Sequence, residues 1–588
     1  MTTASRPKGF RARFHTVTKY LTRYKAYLIY GFLSIIGSNL LMLVNPYLTK
    51  VVIDKLENAQ PLSQVGLLVL AMIGLSIVAG AFRFLTRRTI IWMSRHVEYH
   101  LRAELVEHLL KLAPSYYDRN RTGDIMARAT NDLEAIRMMI GPAVMHIANT
   151  IVIGTGAVVM MLWLSPRLTL YALLPAIVFP IATNKLGNLI HRKFLKIQEH
   201  FSQMTAVVQE NLSGVRVVKA YRQEKQESEN FDKLSRRYMG LNIDLGRYQA
   251  VFYPLFQAIA TALTMVLLYL GGRDVILGRV ELSTVVAFFL YLGMLTWPLI
   301  AIGWVVSLYQ RGVVSLERIN NILNTEPERG FAVGEPYSGK LQGRVEFRNL
   351  SFGYDEKPVL RSIELIVEPG QTLGIIGLTG SGKTTLVSLL ARLYQVERGR
   401  LFIDDRDIND WDVASLRRQI GFAAQEPFLF SATVADNIRF GRDDAELKTV
   451  EETAMLAALS KDVDEFPERY DTMVGERGIT LSGGQKQRTA IARAALIDPA
   501  LLVLDDATSS VDTETENEIN VRIHARTEKL TTFIVSHRVA SVKDADLIVY
   551  LEDGRIVERG NHEHLVTLGG RYADLYHAQV LAEELESL

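Results

Sequence analysis

The sequence predicts two halves of opposite character, a membrane-embedded α-helical half followed by an α/β half. Three observations predict this. Six apolar stretches in the first half are long enough to cross ~30 Å of hydrocarbon as helices. From Val345 onward, short β-branched runs alternate with amphipathic helical stretches, the pattern of an α/β domain. Inside that second half, the strand-like run Thr372-Leu373-Gly374-Ile375-Ile376 leads into a glycine-rich loop ending in Lys383-Thr384.

The bulk composition fits this division. A chain of 588 residues exceeds one compact core. Its 66 Lys+Arg against 64 Asp+Glu offer no electrostatic case for nucleic acid. It has no cysteine, which excludes disulfides, thiolate zinc sites and cysteine nucleophiles. A mean hydropathy of +0.11 is high for a soluble protein and low for one wholly in a bilayer, so the average hides two different halves.

The chain opens on a basic stretch, Arg6, Lys8, Arg11, Arg13, Lys19, Arg23 and Lys25, without an acid. An apolar core follows with no small-residue cleavage site, so we expect an uncleaved first span and no secretory signal. The positive-inside rule places this stretch in the cytosol, either as an amphipathic helix on the lipid headgroups or as a plain basic tail.

The expected spans lie near 27–48, 64–85, 141–164, 168–185, 253–272 and 282–308. The fourth is the shortest and holds Pro175 and Pro180. Connections after spans one, three and five are short. Those after spans two and four, about 86–140 and 186–252, are long and charged, as inward-facing loops should be. His100–Leu110 and Phe194–Glu210 keep a helical apolar period. Spans two to five are therefore expected to continue as helices into the cytosol and to reverse near Tyr117–Asp124 and Ser213–Arg222. Such reversals are either lever arms or simple helical hairpins. Turn chemistry around Glu326-Pro327 and Gly334-Glu335-Pro336 sets the boundaries: membrane domain 1–324, linker 325–342, α/β domain 343–588. Two glycosylation sequons, at Asn211 and Asn349, fall on the cytosolic side and are set aside.

Gly377-Leu378-Thr379-Gly380-Ser381-Gly382-Lys383-Thr384, with Thr385 after it, fits G-x-x-x-x-G-K-[ST] in its strand–loop–helix setting. Such a loop turns successive backbone N–H groups onto phosphate oxygens at the positive end of a helix. Lys383 would reach the β- and γ-phosphates and Thr384 would ligate Mg²⁺. Downstream, the aliphatic run Leu501–Leu504 ends in Asp505-Asp506, and Asp505 is the expected Mg²⁺ carboxylate. Tyr354 could stack on a base or belong to a core.

Leu481-Ser482-Gly483-Gly484-Gln485 resembles the signature of ATP-binding cassette (ABC) proteins, and it stands between the phosphate loop and Asp505 as in that family. Gln425 resembles the Q-loop glutamine, Ser509-Ser510-Val511-Asp512 the D-loop, and His537 the switch histidine. Val474-Gly475-Glu476-Arg477-Gly478 resembles a segment particular to exporters. With six spans ahead of the cassette, the whole chain resembles an ABC half-transporter of the exporter type. The resemblance implies a type-1 exporter fold, six transmembrane helices with long cytosolic extensions plus a C-terminal P-loop cassette. It also implies ATP and Mg²⁺ as ligands, with Gln425 beside Thr384 and Asp505 at the metal. The two reversals would be the coupling helices. Ser482, Gly483, Gly484 and Gln485 would bind the ATP of a partner cassette, and Asp512 would be the D-loop aspartate. The location implied is the cytoplasmic membrane, multi-pass, with N-terminus and cassette in the cytosol.

The resemblance also exposes a departure. Hydrolytically competent cassettes carry glutamate after the metal aspartate, as the base orienting the attacking water; here it is Asp506. Shortening the side chain by a methylene withdraws the carboxylate by ~1 Å, which can cost about a hundredfold in rate. With an intact signature, this resembles one subunit of the asymmetric heterodimeric multidrug exporters. The alternatives are a homodimer with slow hydrolysis and an ATP-gated channel or regulatory subunit. Phe252, Tyr253, Phe256, Phe288, Phe289, Tyr291, Trp297 and Trp304 either line a cavity for a small hydrophobic substrate, drug or lipid, or face lipid and neighbouring helices. No charged group lies clearly mid-membrane in spans five and six.

Overall fold

The computed structural model describes residues 10–173, 178–328, 339–354, 357–475, 481–526 and 530–586. It divides into two compact units. One comprises Met1–Val106 and Ile125–Asn324, the other Glu107–Asp124 and Thr325–Leu588.

The first unit is helical. Lys25–Glu57, Leu62–Leu110 and Thr122–Leu164 are each long and apolar enough to cross a membrane. The second of these has 49 residues, ~74 Å at 1.5 Å per residue, far more than a bilayer needs. Further helices are Pro166–Leu173, Val178–Ser213, Glu224–Ile276 and Leu282–Leu323. Residues 174–177, inside the fourth expected span, lie outside the described set. Pro46, Pro254 and Pro298 sit inside helices, as membrane helices tolerate when neighbours re-satisfy the freed backbone. Around Pro142 the missing N–H is absorbed by a π turn, Met139–Ala143, and two more occur at Arg87–Ile91 and Arg128–Asp132. The basic stretch forms the helix Phe10–Arg23, whose Tyr20 hydroxyl donates to Glu104 at 2.6 Å.

Phe288 and Tyr291 are fully buried, and the Tyr291 hydroxyl donates to the Leu43 carbonyl at 2.8 Å. They are packed core and do not line a cavity. Phe289 packs partly buried against the same core, while Trp304 is exposed. The side chains of Phe252, Tyr253, Phe256 and Trp297 lie outside the described residues.

The second unit holds two sheets. Strands β1 (Val345–Tyr354), β2 (Lys357–Val367), β4 (Leu401–Ile403) and β5 (Arg406–Asp407) form an antiparallel sheet in the order β2-β1-β4-β5. The larger sheet combines β3 (Thr372–Ile376), β6 (Ile420–Ala423), β7 (Leu501–Asp505), β8 (Thr531–Val535), β9 (Leu547–Glu552) and β10 (Arg555–Gly560). Its order is β10-β9-β3-β8-β7-β6, parallel except for β10. Every residue of β3, β7 and β8 is buried, as expected of strands covered on both faces. Because β3, β8, β7 and β6 run parallel, their C-terminal ends open on one edge, where α/β sheets bind ligands. The segment Pro114–Arg119, at the first expected reversal, is a short helix within this unit, and Val215–Ala220 is one at the second, in the first unit.

Candidate functional site

The parallel strands bring distant residues together. The phosphate loop follows β3, Gln425 lies two residues beyond β6, Asp505 ends β7, and His537 lies two residues beyond β8. Around them is a cleft of about 270 Å³ lined by Thr379, Gly380, Gly382, Lys383, Thr384, Thr385, Gln425, Asp505, Asp506 and His537. None of Ser482–Gln485 lines it.

The loop's shape follows from its glycines. Gly377, Gly380 and Gly382 have φ of 152°, 84° and 100°, and a Cβ on Gly377 would stand 2.1 Å from the Leu551 carbonyl oxygen. Lys383, 5% exposed, donates from Nζ to the carbonyls of Gly377 at 2.8 Å and Leu378 at 3.0 Å. It also stands 3.5 Å from His537 Nδ1. Burial lowers the Lys383 pKa, while Asp506 and Asp505 oppose the shift. Ser381 Oγ is buried with no hydrogen-bond partner, an orphan that a phosphate oxygen would satisfy.

Asp505 is 1% exposed and accepts from Thr384 Oγ1 at 3.0 Å. Burial pushes its carboxyl up to about 6; the Asp506 charge adds to this, and the Thr384 hydrogen bond and Lys383 oppose it. Asp505 and Thr384 offer adjacent hard oxygen donors, which suits Mg²⁺. Asp506 lies in the left-handed region at φ 50°, tolerated by aspartate better than by most side chains. Its N–H donates to the Val535 carbonyl at 2.9 Å, and its Oδ2 accepts from Gln425 Nε2 at 3.3 Å. The backbone of Asp506 is thus held by β8 and its carboxylate by Gln425, just beyond β6.

Tyr354 faces a second cavity, of about 340 Å³, with Tyr394, Asp118 and Glu328. Its hydroxyl lies 3.2 Å from Thr385 Oγ1, and its ring meets Tyr394 edge-on at 5.0 Å. Tyr394 in turn donates to Asp118 of the Pro114–Arg119 helix.

The signature opens the helix Gly483–Leu496 through a capping box. Ser482 Oγ accepts from the Gln485 N–H at 3.2 Å, and Gln485 Oε1 accepts from the Ser482 N–H at 3.0 Å. A Cβ on Gly484 would come within 2.9 Å of the Ser510 carbonyl oxygen, so the signature presses on the D-loop-like segment. Asp512 accepts from the Thr515 N–H at 2.9 Å and begins the following helix. Glu476 to Gly478 of the exporter-like segment lie outside the described residues.

Four residues missed by sequence reasoning hold these loops. Gln487, one turn into the signature helix, donates to Ser509 Oγ at 2.9 Å and accepts from the Ser510 N–H at 2.8 Å. Buried Glu516 accepts from Thr508 at 2.6 Å and Ser541 at 2.5 Å. Arg538 stands 3.7 Å from Glu516 and donates to the Val511 and Ser509 carbonyls, each at 3.3 Å. Gln579 donates to the His537 carbonyl at 2.7 Å and accepts from the Val539 N–H at 2.8 Å. The one signal in the sequence was a glutamine and an acid placed a helical turn beyond recognised motifs; Gln579 has no motif near it.

Comparison with known proteins gives concordant matches. Residues 28–299 match the ABC transporter transmembrane region and residues 360–509 the ABC transporter cassette. A probable multidrug resistance ABC transporter ATP-binding/permease protein of Bacillus subtilis, YheI, is 37% identical over 531 residues, 87% of this chain and 90% of that protein. The multidrug resistance-like ATP-binding protein MdlA of Escherichia coli is 34% identical over 552 residues, 93% of each. An ATP-dependent lipid A-core flippase of Nitrosococcus oceani is 33% identical over 513 residues, 87% of this chain and 86% of the flippase. Among solved structures, a bacterial Atm1-family ABC exporter with ATP bound superposes with a TM-score of 0.77 at 26% identity, covering 94% of this chain and 98% of that one.

Proposed function

The chain belongs to the ABC transporter family, a multi-pass membrane protein of type-1 exporter fold whose cassette binds ATP and couples its hydrolysis to transport, and on that premise we propose that it exports a drug or lipid as one unequal half of a heterodimer. The names of the YheI, MdlA and flippase relatives support the substrate class. One observation supports the dimer: among the described residues that line the phosphate cleft none belongs to the signature, which fits a signature supplied by a second chain.

In this reading Lys383 binds the β- and γ-phosphates, the glycine-rich loop and Ser381 close on the phosphate oxygens, and Tyr354 stacks on the base. Thr384 and Asp505, with Gln425, would hold Mg²⁺, which would supply positive charge against the phosphates when bound. Gln425 and His537 orient the γ-phosphate end of the cleft. Asp506 orients the attacking water from a retracted position, so this chain's own ATP is held more than it is cleaved. Ser482, Gly483, Gly484 and Gln485 complete the partner's site across the interface, with Asp512 beside it. The domain limits are 1–324, 325–342 and 343–588, with six spans and a cytosolic N-terminus and cassette. The location is the cytoplasmic membrane.

The test is expression of the full chain alone and together with a second half-transporter whose corresponding strand ends in Asp-Glu. The heterodimer predicts drug-stimulated ATPase from the pair only. A dimer of this chain alone with full drug-stimulated ATPase refutes it.

A further inference from the structure

Arg83 and Arg87 border a cavity of about 450 Å³ together with His146 and Asn149. Its size falls in the range of small-molecule sites, roughly 300–1,000 Å³. The lining comes from Lys25–Glu57, Leu62–Leu110 and Thr122–Leu164, three helices that among the described residues are long and apolar enough to cross a membrane. Arg83 and Arg87 are one turn apart, and Arg87 opens a π turn, a local irregularity that recurs at functional sites.

Several arginines of this unit are matched with acids. Glu98 faces Arg95, Arg102 and Arg137; Asp274 faces Arg167 and Arg279; Asp132 faces Arg318. Among the described residues, Arg83 and Arg87 have no ion-pair partner, and no carboxylate lines their cavity. The two wall hydroxyls are already committed to their own helices, Ser38 to the Ile35 carbonyl at 3.1 Å and Thr86 to the Phe82 carbonyl at 3.0 Å. Two guanidinium groups, an imidazole and an amide remain, beside the apolar Ile35, Phe84 and Met145.

Arg83 lies in the last turn of the expected second span and Arg87 just beyond it, so both stand at the level of lipid headgroups, where long basic side chains reach the interface. Guanidinium forks match phosphate and carboxylate geometry. We infer that this cavity binds the anionic head of an amphiphile, a phosphate or carboxylate carried on an apolar tail. The inference rests on the export function proposed above and narrows its substrate class. Arg83 and Arg87 grip the head, His146 and Asn149 add polar contacts, and the apolar wall receives the start of the tail.

The test uses the purified full chain in dodecyl maltoside with fluorescent phosphatidylglycerol and fluorescent phosphatidylcholine as probes. Wild type should bind the phosphatidylglycerol probe roughly tenfold or more tighter, the scale of charge-assisted hydrogen bonds. The double variant Arg83→Ala/Arg87→Ala should reduce that preference to within about twofold, while Arg83→Lys/Arg87→Lys retains part of it. Arg88→Ala, beside the cavity but not lining it, should leave it unchanged. Equal affinity of wild type for both probes overturns the inference, as does a loss in Arg88→Ala equal to that of the double variant. Displacement by glycerol phosphate assigns the site to a water-soluble phosphate, and displacement only by unlabelled phosphatidylglycerol assigns it to a lipid; either keeps an anion site. ATP-driven flux in proteoliposomes separates the two proposals. Flux of a neutral amphiphile without any anion preference leaves export standing and removes this site. Anion preference without flux of any amphiphile keeps the site and removes export.

Discussion

Tyr394 donates its phenolic hydrogen to the Asp118 carboxylate at 3.0 Å. Asp118 belongs to the helix at the first reversal, and Tyr394 meets Tyr354, whose hydroxyl reaches Thr385 at the phosphate loop. Four side chains thus connect the phosphate loop to a segment that continues into the membrane helices. Burial and the Asp118 contact raise the Tyr394 pKa, so the phenol stays a donor throughout the physiological range. Removing the hydroxyl alone, Tyr394→Phe, keeps the ring packing. ATP affinity should stay within about twofold while substrate stimulation of ATPase falls severalfold, the scale of a charge-assisted hydrogen bond. Nucleotide titration beside drug-stimulated turnover in one preparation separates the two effects; a parallel loss in both would show that the link serves binding only.

Asp506→Glu should raise turnover of this chain's own site, by up to about a hundredfold if the ~1 Å retraction is the whole defect. The left-handed backbone sets a limit, because glutamate is less at ease than aspartate at φ 50°. Single-turnover phosphate release on the purified dimer reads the change directly, and an unchanged rate would move the slow step elsewhere.

Gln487 ties the signature helix to Ser509 and Ser510. Gln487→Ala removes no residue that lines the phosphate cleft, although Gln487 also reaches the Asp506 carbonyl at 3.4 Å, and it frees the segment proposed to meet a partner's ATP. ATP binding should hold, and steady-state turnover of the assembled dimer should fall about tenfold, equivalent to one lost orienting hydrogen bond at ~1.4 kcal/mol. Loss of ATP binding in that variant would instead mark Gln487 as a folding residue.

Glu516 is 2% exposed and receives Thr508, Ser541 and the Arg538 cation. Glu516→Ala leaves the Thr508 and Ser541 hydroxyls without their acceptor and removes the countercharge of Arg538, so a stability loss of about 2–4 kcal/mol is expected. Glu516→Gln preserves the shape and one acceptor and should lose about half as much. Thermal unfolding of the full chain gives the comparison; equal losses would mean that the charge contributes nothing.

Local chemistry made much of this legible before any coordinates. The phosphate loop, the Asp505-Asp506 strand end and the signature each depend on neighbours in sequence, so spacing alone exposed them. Their convergence was legible only through the resemblance, because it depends on four strands ordered β3-β8-β7-β6. Gln579, Tyr394 and Arg538 were illegible for another reason. Their partners lie 42, 276 and 27 residues away respectively, and no local pattern encodes such pairings. The aromatic residues of span six left two readings open, cavity lining or packing against neighbouring helices. Phe288 and Tyr291 take the packing role, because aromatic rings fill helix interfaces as readily as they line cavities and nothing local in the sequence separates the two.

The capping box at Ser482 has a thermodynamic consequence for assembly. Its hydroxyl oxygen accepts the Gln485 N–H, which leaves the hydroxyl proton free to donate to an incoming phosphate oxygen. The helix start is therefore already ordered before a partner arrives, and closing two cassettes requires no freezing of this turn. The entropic penalty of association then falls on the approach of whole domains and on displaced water, not on local folding. The heat of cassette closure, measured with a nonhydrolysable nucleotide, should carry little signature of new helix, and the amides of Gly483 and Gly484 should exchange with solvent at rates that report the partner's occupancy rather than this chain's own.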